Sequence, residues 1–302
     1  MTEPIESLDN LGAFVALLRA QVIPADRLAA YASDLGSAVE LVRLVRAGVI
    51  TSETGQLALD LVGDEVLLKA QTDADAWRDL GYDVRTIFDE LYPANLLEIY
   101  NRPPFVFVRG DWSDDRDSRA ISVVGTRQAT SDGLRRAERL GAALARAGIT
   151  VVSGLALGID AAAHASALKA GGRTTAVLGT GINKMYPREN VKLAAEISGG
   201  AGALFSQFLP DQPPTRWTFP KRNIVMSGLT WATVVVEASW TSGARVQATE
   251  ALRHGRTVFL LRSLVEAHKW AREYVEEGRF GTRALQIDSV EELLSALNLA
   301  TA

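Results

Sequence analysis

Three glycine-bearing turns and one basic, aromatic loop hold the residues of this chain that could do chemistry. The turns are Gly125-Thr126-Arg127, Ser153-Gly154-Leu155 and Gly179-Thr180-Gly181, each following a short apolar run. At the first two, free backbone N–H groups and the positive end of a following helix favour an anion, most often a phosphate. The third continues as Ile182-Asn183-Lys184 and has two glycines of a dinucleotide fingerprint without the third, so no redox cofactor is expected. Residues 209–223 read LPDQPPTRWTFPKRN. Pro210, Pro213, Pro214 and Pro220 exclude regular structure there, while Arg216, Lys221 and Arg222 alternate with Trp217 and Phe219, and Asn223 closes the loop. Cations interleaved with aromatics suit a single nucleic-acid strand, because charges follow phosphates while rings stack on bases. A proline-rich loop whose aromatics plug the core would have the same composition. Ser242-Gly243, which opens a later helix, completes the candidate set.

Other chemistries find no support. The chain has no Gly-x-x-x-x-Gly-Lys-Ser/Thr, no His-Glu-x-x-His and no cysteine, which removes thiolate nucleophiles, thiolate metal sites and disulfides. His164, His254 and His268 are scattered, and His164 in its alanine-rich segment reads as a packed or capping residue. Glu237, at a strand end without a catalytic partner in sequence, reads as a carboxylate bound to neighbouring loop amides. No metal, no cofactor and no enzyme activity are expected.

The elements that must position these residues are βα units. Ile121 to Val124 is a short apolar run, an amphipathic helix capped by Ser131 or Asp132 runs to about Ala147, and Thr150 to Ser153 is a second strand. Strand, helix and strand at this spacing make two parallel strands with a right-handed crossover, and ligands bind beyond the carboxyl ends of such strands. Further strands are expected at Phe105 to Val108, Thr174 to Leu178, Ala203 to Phe208, Ala232 to Glu237 and Thr257 to Leu261. Helices are expected over Glu189 to Ser198, Ile224 to Leu229 and Ser242-Gly243 to about His254. Residues 1–90 read as a small helical bundle, with apolar stripes at Phe14 to Leu18, Leu41 to Val45 and Leu57 to Val66. Residues 91–118 form a junction that ends in an acidic loop, DWSDDRDS, and 119–302 form the sheet domain.

At 302 residues the chain can hold one large domain or two ordinary ones, and 47% hydrophobic content is ample for a core. Its start lacks a signal peptide's basic end and apolar core, and no apolar run approaches the roughly 20 residues that span a bilayer. A cytoplasmic protein with no membrane partner is expected. The net charge of −4 hides an asymmetry. Residues 119–256 carry 17 Lys/Arg against 8 Asp/Glu, a balance of +9, around the glycine turns. A local nucleic-acid footprint needs such a concentration, although Arg135, Arg136, Arg139 and Arg146 also suit a solvated helix face.

VVGTR, VVSGLALGIDAAAH, AVLGTGINKMYPREN, FPKRN and VVVEA resemble, in order and spacing over roughly residues 90–262, the motifs of the DprA/Smf family of DNA-processing proteins. The resemblance implies an α/β fold, with an extended Rossmann-like, mostly parallel sheet and a small helical (SAM-like) N-terminal domain. It implies single-stranded DNA contacts by Arg127, Arg216 and Phe219, protection of incoming DNA, loading of the RecA recombinase in natural transformation, and homodimerisation. The chain departs from the family where Ala244-Arg245-Val246-Gln247 replaces a serine and small apolar run, where Arg262-Ser263 replaces Pro-Gly, and where Val22-Ile23-Pro24-Ala25 replaces a glycine hairpin. No winged-helix domain is expected to follow. Two other roles stand beside this one: a nucleotide-sensing protein of the same superfamily, or an antitoxin-like member in phage defence. The superfamily's phosphoribohydrolases use Pro-Gly-Gly-x-Gly-Thr-x-x-Glu where this chain has Thr241-Ser242-Gly243-Ala244-Arg245, which lacks the glycines and spacing.

Overall fold

The structure, a computed structural model, describes residues 4–50 and 61–299. The described chain separates into two compact units, Met1–Tyr92 with Tyr100–Phe107, and Pro93–Ile99 with Val108–Ala302.

The first unit holds α1 (Asn10–Ala20), α2 (Leu28–Leu35), α3 (Ala38–Arg46) and α4 (Asp64–Asp79). Asp9 caps α1 by accepting from Gly12 N at 2.8 Å, and Ser37 caps α3. The expected stripes turn inward: Phe14, Leu17, Leu41, Val42 and Val45 are buried. The stripe expected from Leu57 to Val66 begins in residues 51–60, outside the described residues. Val22 and Ile23 are also buried, so this segment packs rather than offering its backbone to a ligand. β1 (Asp83–Thr86) has no signal in the sequence. Its four residues contain no apolar run, and Arg85 is held by Asp83 at 2.7 Å and by the Leu91 carbonyl at 2.9 Å.

β2 (Phe105–Gly110) begins in the first unit and ends in the second. There follow β3 (Ala120–Gly125), β4 (Thr150–Ser153), β5 (Thr174–Val177), β6 (Gly202–Ser206), β7 (Ala232–Glu237), β8 (Thr257–Leu261) and β9 (Leu285–Ile287). The strand order is β1-β2-β6-β5-β4-β3-β7-β8-β9, and every neighbouring pair from β6 to β9 is parallel. This is the extended Rossmann-like, mostly parallel sheet expected from the sequence. The three-residue β9 is too short to announce itself.

The order contains one reversal. β3 to β6 march outward in one direction, and β7 returns to the far side of β3, pairing Ile121 with Ala232 and Val124 with Val235. Neighbouring crossovers therefore leave β3 and β7 on opposite sides, opening a crevice beyond their carboxyl ends.

The helices of the second unit are α5 (Ala94–Leu97), α6 (Asp114–Asp117), α7 (Ser131–Arg146), α8 (Ile159–Lys169), α9 (Val191–Glu196), α10 (Thr218–Gly228), α11 (Gly243–Arg253), α12 (Arg262–Ala267), α13 (Lys269–Glu276) and α14 (Val290–Leu299). α7 presents Ala137, Leu140 and Leu144 to Ile121, Val123, Val151 and Val234 of the sheet, and Ile159 and Ala163 of α8 join that cluster. Thr130 caps α7, accepting from Gly133 N at 3.0 Å, rather than Ser131 or Asp132. The acidic loop expected at 111–118 contains α6, because Asp117 is buried against Arg173 at 2.7 Å and the Thr150 hydroxyl at 2.7 Å. The helix expected over Glu189 to Ser198 divides into a 3₁₀ turn at Arg188–Asn190, α9, and a π-turn at Ile197–Ala201.

The largest correction concerns α10. It starts at Thr218, six residues before the expected Ile224, and takes Phe219 to Asn223 out of the loop. Thr215 and Thr218 start it reciprocally, each side-chain oxygen accepting from the other's backbone N–H at 3.2 Å. Pro220 falls in the first turn, where a helix loses nothing by a missing N–H.

Candidate functional site

A cleft of about 580 Å³ opens at the crevice between β3 and β7. Val124 to Gln128 form one wall, Arg216 and Phe219 with the start of α10 a second, and Ser239 with Thr241 to Ala244 a third. The first glycine turn is thus in the cleft. Thr126 N donates to the Glu237 carbonyl at 2.7 Å, which continues the β3–β7 pairing beyond its register shift. Arg127 is exposed, and its guanidinium lies 5.2 Å from the Phe219 ring centre. On the opposite wall Ser242 caps α11, accepting from Ala244 N at 3.2 Å, and Gly243 is exposed beside it.

The other two glycine turns are already satisfied from within. At the second, Gly154 N and Ala156 N donate to Asp160 Oδ2 at 3.2 and 3.4 Å, so a carboxylate of α8 takes the place of an external anion. The Ser153 hydroxyl donates to the Val123 carbonyl at 2.6 Å. Gly154 must lack a side chain, because a Cβ there would lie 2.1 Å from the Arg222 guanidinium. At the third, Gly181 N donates to the Gln212 carbonyl at 2.9 Å, and Ser206 Oγ donates to the Thr180 carbonyl at 2.7 Å. Gly179 is needed because the Phe219 ring lies 2.5 Å from where its Cβ would be. Ser153, Gly154, Gly179, Thr180 and Gly181 are buried and do not line the cleft. They hold the residues that do.

The basic loop divides in the same way. Arg216 is exposed with its guanidinium 4.8 Å from the Trp217 ring centre, and Lys221 is exposed. Arg222 is only 7% exposed. It donates from Nη1 to the carbonyls of Gly154 and Val177, both at 2.7 Å, and from Nε to Asn223 Oδ1 at 3.1 Å. Its place in the cleft wall is therefore that of a strut joining α10 to the ends of β4 and β5. Burial pushes the Arg222 guanidinium below its ordinary pKa, the charge of Asp160 opposes this, and the positive charge of Arg127 adds to it. Burial raises the Asp160 carboxyl in turn, against the pull of Arg222 and the loop amides.

Glu237 accepts from Thr130 N and Thr130 Oγ1, both at 3.1 Å, which ties β7 to the start of α7. His164 is fully buried, with Nδ1 2.6 Å from Thr174 Oγ1. The Thr174 hydroxyl donates to the Val151 carbonyl at 2.7 Å, so Nδ1 carries the ring proton and Nε2 stays bare. Burial, then the Arg222 charge, lowers His164 from 6.5 to about 3. The fold holds the neutral ring while the unfolded chain takes a proton below about pH 6.5. Stability from this group is therefore complete above that pH and falls by about 1.4 kcal/mol per pH unit down toward pH 3. Melting curves for wild type and His164→Asn between pH 7 and pH 4.5 should show a steeper acid loss in the wild type. Parallel curves would contradict this assignment.

Ser239 and Met226, which reading the sequence did not single out, also line the cleft, with Thr241, Val246 and Gln247, which it named only as part of a divergent loop. The signal was positional: residues just after β7 share the sheet edge with those after β3. Among the described residues no group of His, Asp or Glu has the arrangement to hold a metal ion, and no helix is long and apolar enough to cross a membrane.

The family model of DNA recombination-mediator protein A matches residues 83–295, well over half of the chain. The chain belongs to this family. Among curated members, DNA processing protein DprA of Bacillus subtilis is 39% identical over 61% of this chain and 62% of its own length. Protein Smf of Escherichia coli is 42% identical over 57% of this chain and 46% of its own length. The matched part thus spans about half to three-fifths of these relatives. The crystal structure of DprA from Streptococcus pneumoniae superposes with a TM-score of 0.74 at 26% identity, covering 95% of this chain and 98% of that one. DNA processing protein A of Helicobacter pylori, solved for its single-stranded DNA binding mode, shares the fold with a TM-score of 0.63, at 24% identity over 72% of this chain and 96% of its own.

Proposed function

We propose that this member of the recombination-mediator family binds single-stranded DNA in the cleft between β3 and β7, without catalysis, and as a homodimer delivers it to a RecA-type recombinase. One observation carries the DNA reading: Arg127 and Arg216 reach the cleft beside Phe219, and each guanidinium lies over a ring rather than against a carboxylate. Part of the positive charge elsewhere in 119–256 is spent on local pairs: Arg135 with Asp132, Arg173 with Asp117, Lys184 with Asp211 and Arg253 with Glu250. The cleft cations keep theirs for a ligand. Thr126 N and Ala244 N are already bonded, to the Glu237 carbonyl and to Ser242 Oγ, so in this reading the phosphates fall to the side chains of Arg127 and Arg216. The family's DNA-processing names point to the same ligand class. Protection of incoming strands, RecA loading and work in the cytoplasm belong to the same proposal, and family membership supports them without deciding them.

Binding of a dT oligonucleotide across a salt series tests this. Three to five neutralised phosphates give a log–log slope of roughly −2 to −4, at about −0.7 per phosphate. Arg127→Glu should weaken binding about tenfold or more and leave melting unchanged, since the side chain is exposed. A flat salt response with tight binding of a free nucleotide would favour the nucleotide-sensing role instead.

A further inference from the structure

An exposed aromatic ring stands at the edge of the cleft. Trp240 is 58% exposed, although it lies between Ser239 and Thr241, two residues that line the cleft. Consecutive Cα atoms are about 3.8 Å apart, so the indole stands at the cleft's rim. It is not a loose surface residue. The Arg245 guanidinium lies 3.8 Å from its ring centre and donates from Nη1 to the Trp240 carbonyl at 2.9 Å. Arg245 belongs to the first turn of α11, and its guanidinium is tied to Trp240 through both the ring and the carbonyl. One face of the indole is thus backed by a fixed cation, and the ring remains largely open to solvent.

We infer that Trp240, backed by Arg245, is a stacking platform for an unpaired nucleobase at the rim of the cleft, continuing the strand's path past the start of α11. This rests on the reading of the cleft as a single-strand site. A ring that is already ordered loses little entropy when a base stacks on it, and a stacked base tolerates any sequence because every base has a π-face. The backing cation supplies positive charge next to the same nucleotide's phosphate. Arg245 lies in Ala244-Arg245-Val246-Gln247, where the sequence departs from the family pattern it otherwise resembles. This platform therefore distinguishes the chain's strand path from the part carried by Phe219.

Wild type, Trp240→Ala and Trp240→Phe should be titrated with a dT oligonucleotide of about 20 nucleotides and with its abasic counterpart. Trp240→Ala should lose roughly tenfold or more in affinity for dT with an unchanged salt slope, because no charge is removed. Trp240→Phe should recover most of the loss and remove part of the tryptophan fluorescence quenching expected when wild type binds dT. The abasic strand, having nothing to stack, should bind wild type and Trp240→Ala alike. If wild type binds dT and Trp240→Ala binds it equally well, the platform is overturned while the cleft reading stands. If wild type fails to bind dT, both fall together. A Trp240→Ala protein that keeps its dT affinity and changes its oligomeric state would place the ring in a protein contact, which also overturns the platform.

Discussion

Replacing Arg222 with methionine should lower stability by about 3–5 kcal/mol, the cost of breaking a buried charged arrangement by removing one partner. The guanidinium carries three hydrogen bonds that no other described group replaces: to the carbonyls of Gly154 and Val177, and to Asn223 Oδ1. Methionine fills a similar length but donates nothing, so two buried carbonyls lose their donor and the buried Asp160 loses the positive charge that offsets its burial. For a unit of this size the loss corresponds to a melting shift of roughly 6–20 °C. Lys221→Met, one residue away and exposed, should melt like wild type. Oligonucleotide binding by Arg222→Met, corrected for the folded fraction at low temperature, should stay close to normal. A variant that melts normally and loses affinity would instead make Arg222 a direct DNA contact.

This contrast between neighbours marks the limit of reading the sequence. Arg216, Lys221 and Arg222 are equivalent in a list of cations, and only the helix that begins at Thr218 turns Arg222 inward while Lys221 stays outside. Pro220 hid that helix, because proline looks like a breaker unless it falls in the first turn. The strands and glycine turns were legible because a buried parallel sheet uses continuous apolar runs, and β4, β7 and β8 begin and end where those runs do. What each glycine serves was not legible. Gly125-Thr126-Arg127 reaches the cleft, but the Ser153-Gly154 turn is closed by Asp160, six residues on, and the Gly179 turn by Phe219 and the 209–212 segment. A carboxylate that takes an anion's place cannot be told from a neighbouring acid until the loop's geometry is known. Charge counting has the same limit, since the +9 of residues 119–256 includes cations already paired at the surface.

Phe219→Ala should weaken binding of a dT oligonucleotide by roughly ten- to a hundredfold, the cost of losing one stacked base. The ring is half-buried, packed on Gly179, 5.8 Å from the Tyr186 ring centre and tilted to it, and faced by Arg127. In the proposed site it does two jobs: it faces the Arg127 guanidinium, and it is the surface on which a base would stack. Removing a half-buried ring costs about 1–2 kcal/mol of stability, below the 3–5 kcal/mol of a full core aromatic, so the protein stays folded at assay temperature. No charge leaves with the ring, so the salt slope should remain almost as in the wild type. Arg216→Ala reverses the pattern, lowering affinity while reducing the slope by about 0.7, one phosphate's share. Melting and salt-dependent binding measured on the same two proteins separate the roles. A Phe219→Ala protein that melts several degrees low, yet binds normally in its folded fraction, would make the ring a core plug and leave the strand held by cations alone.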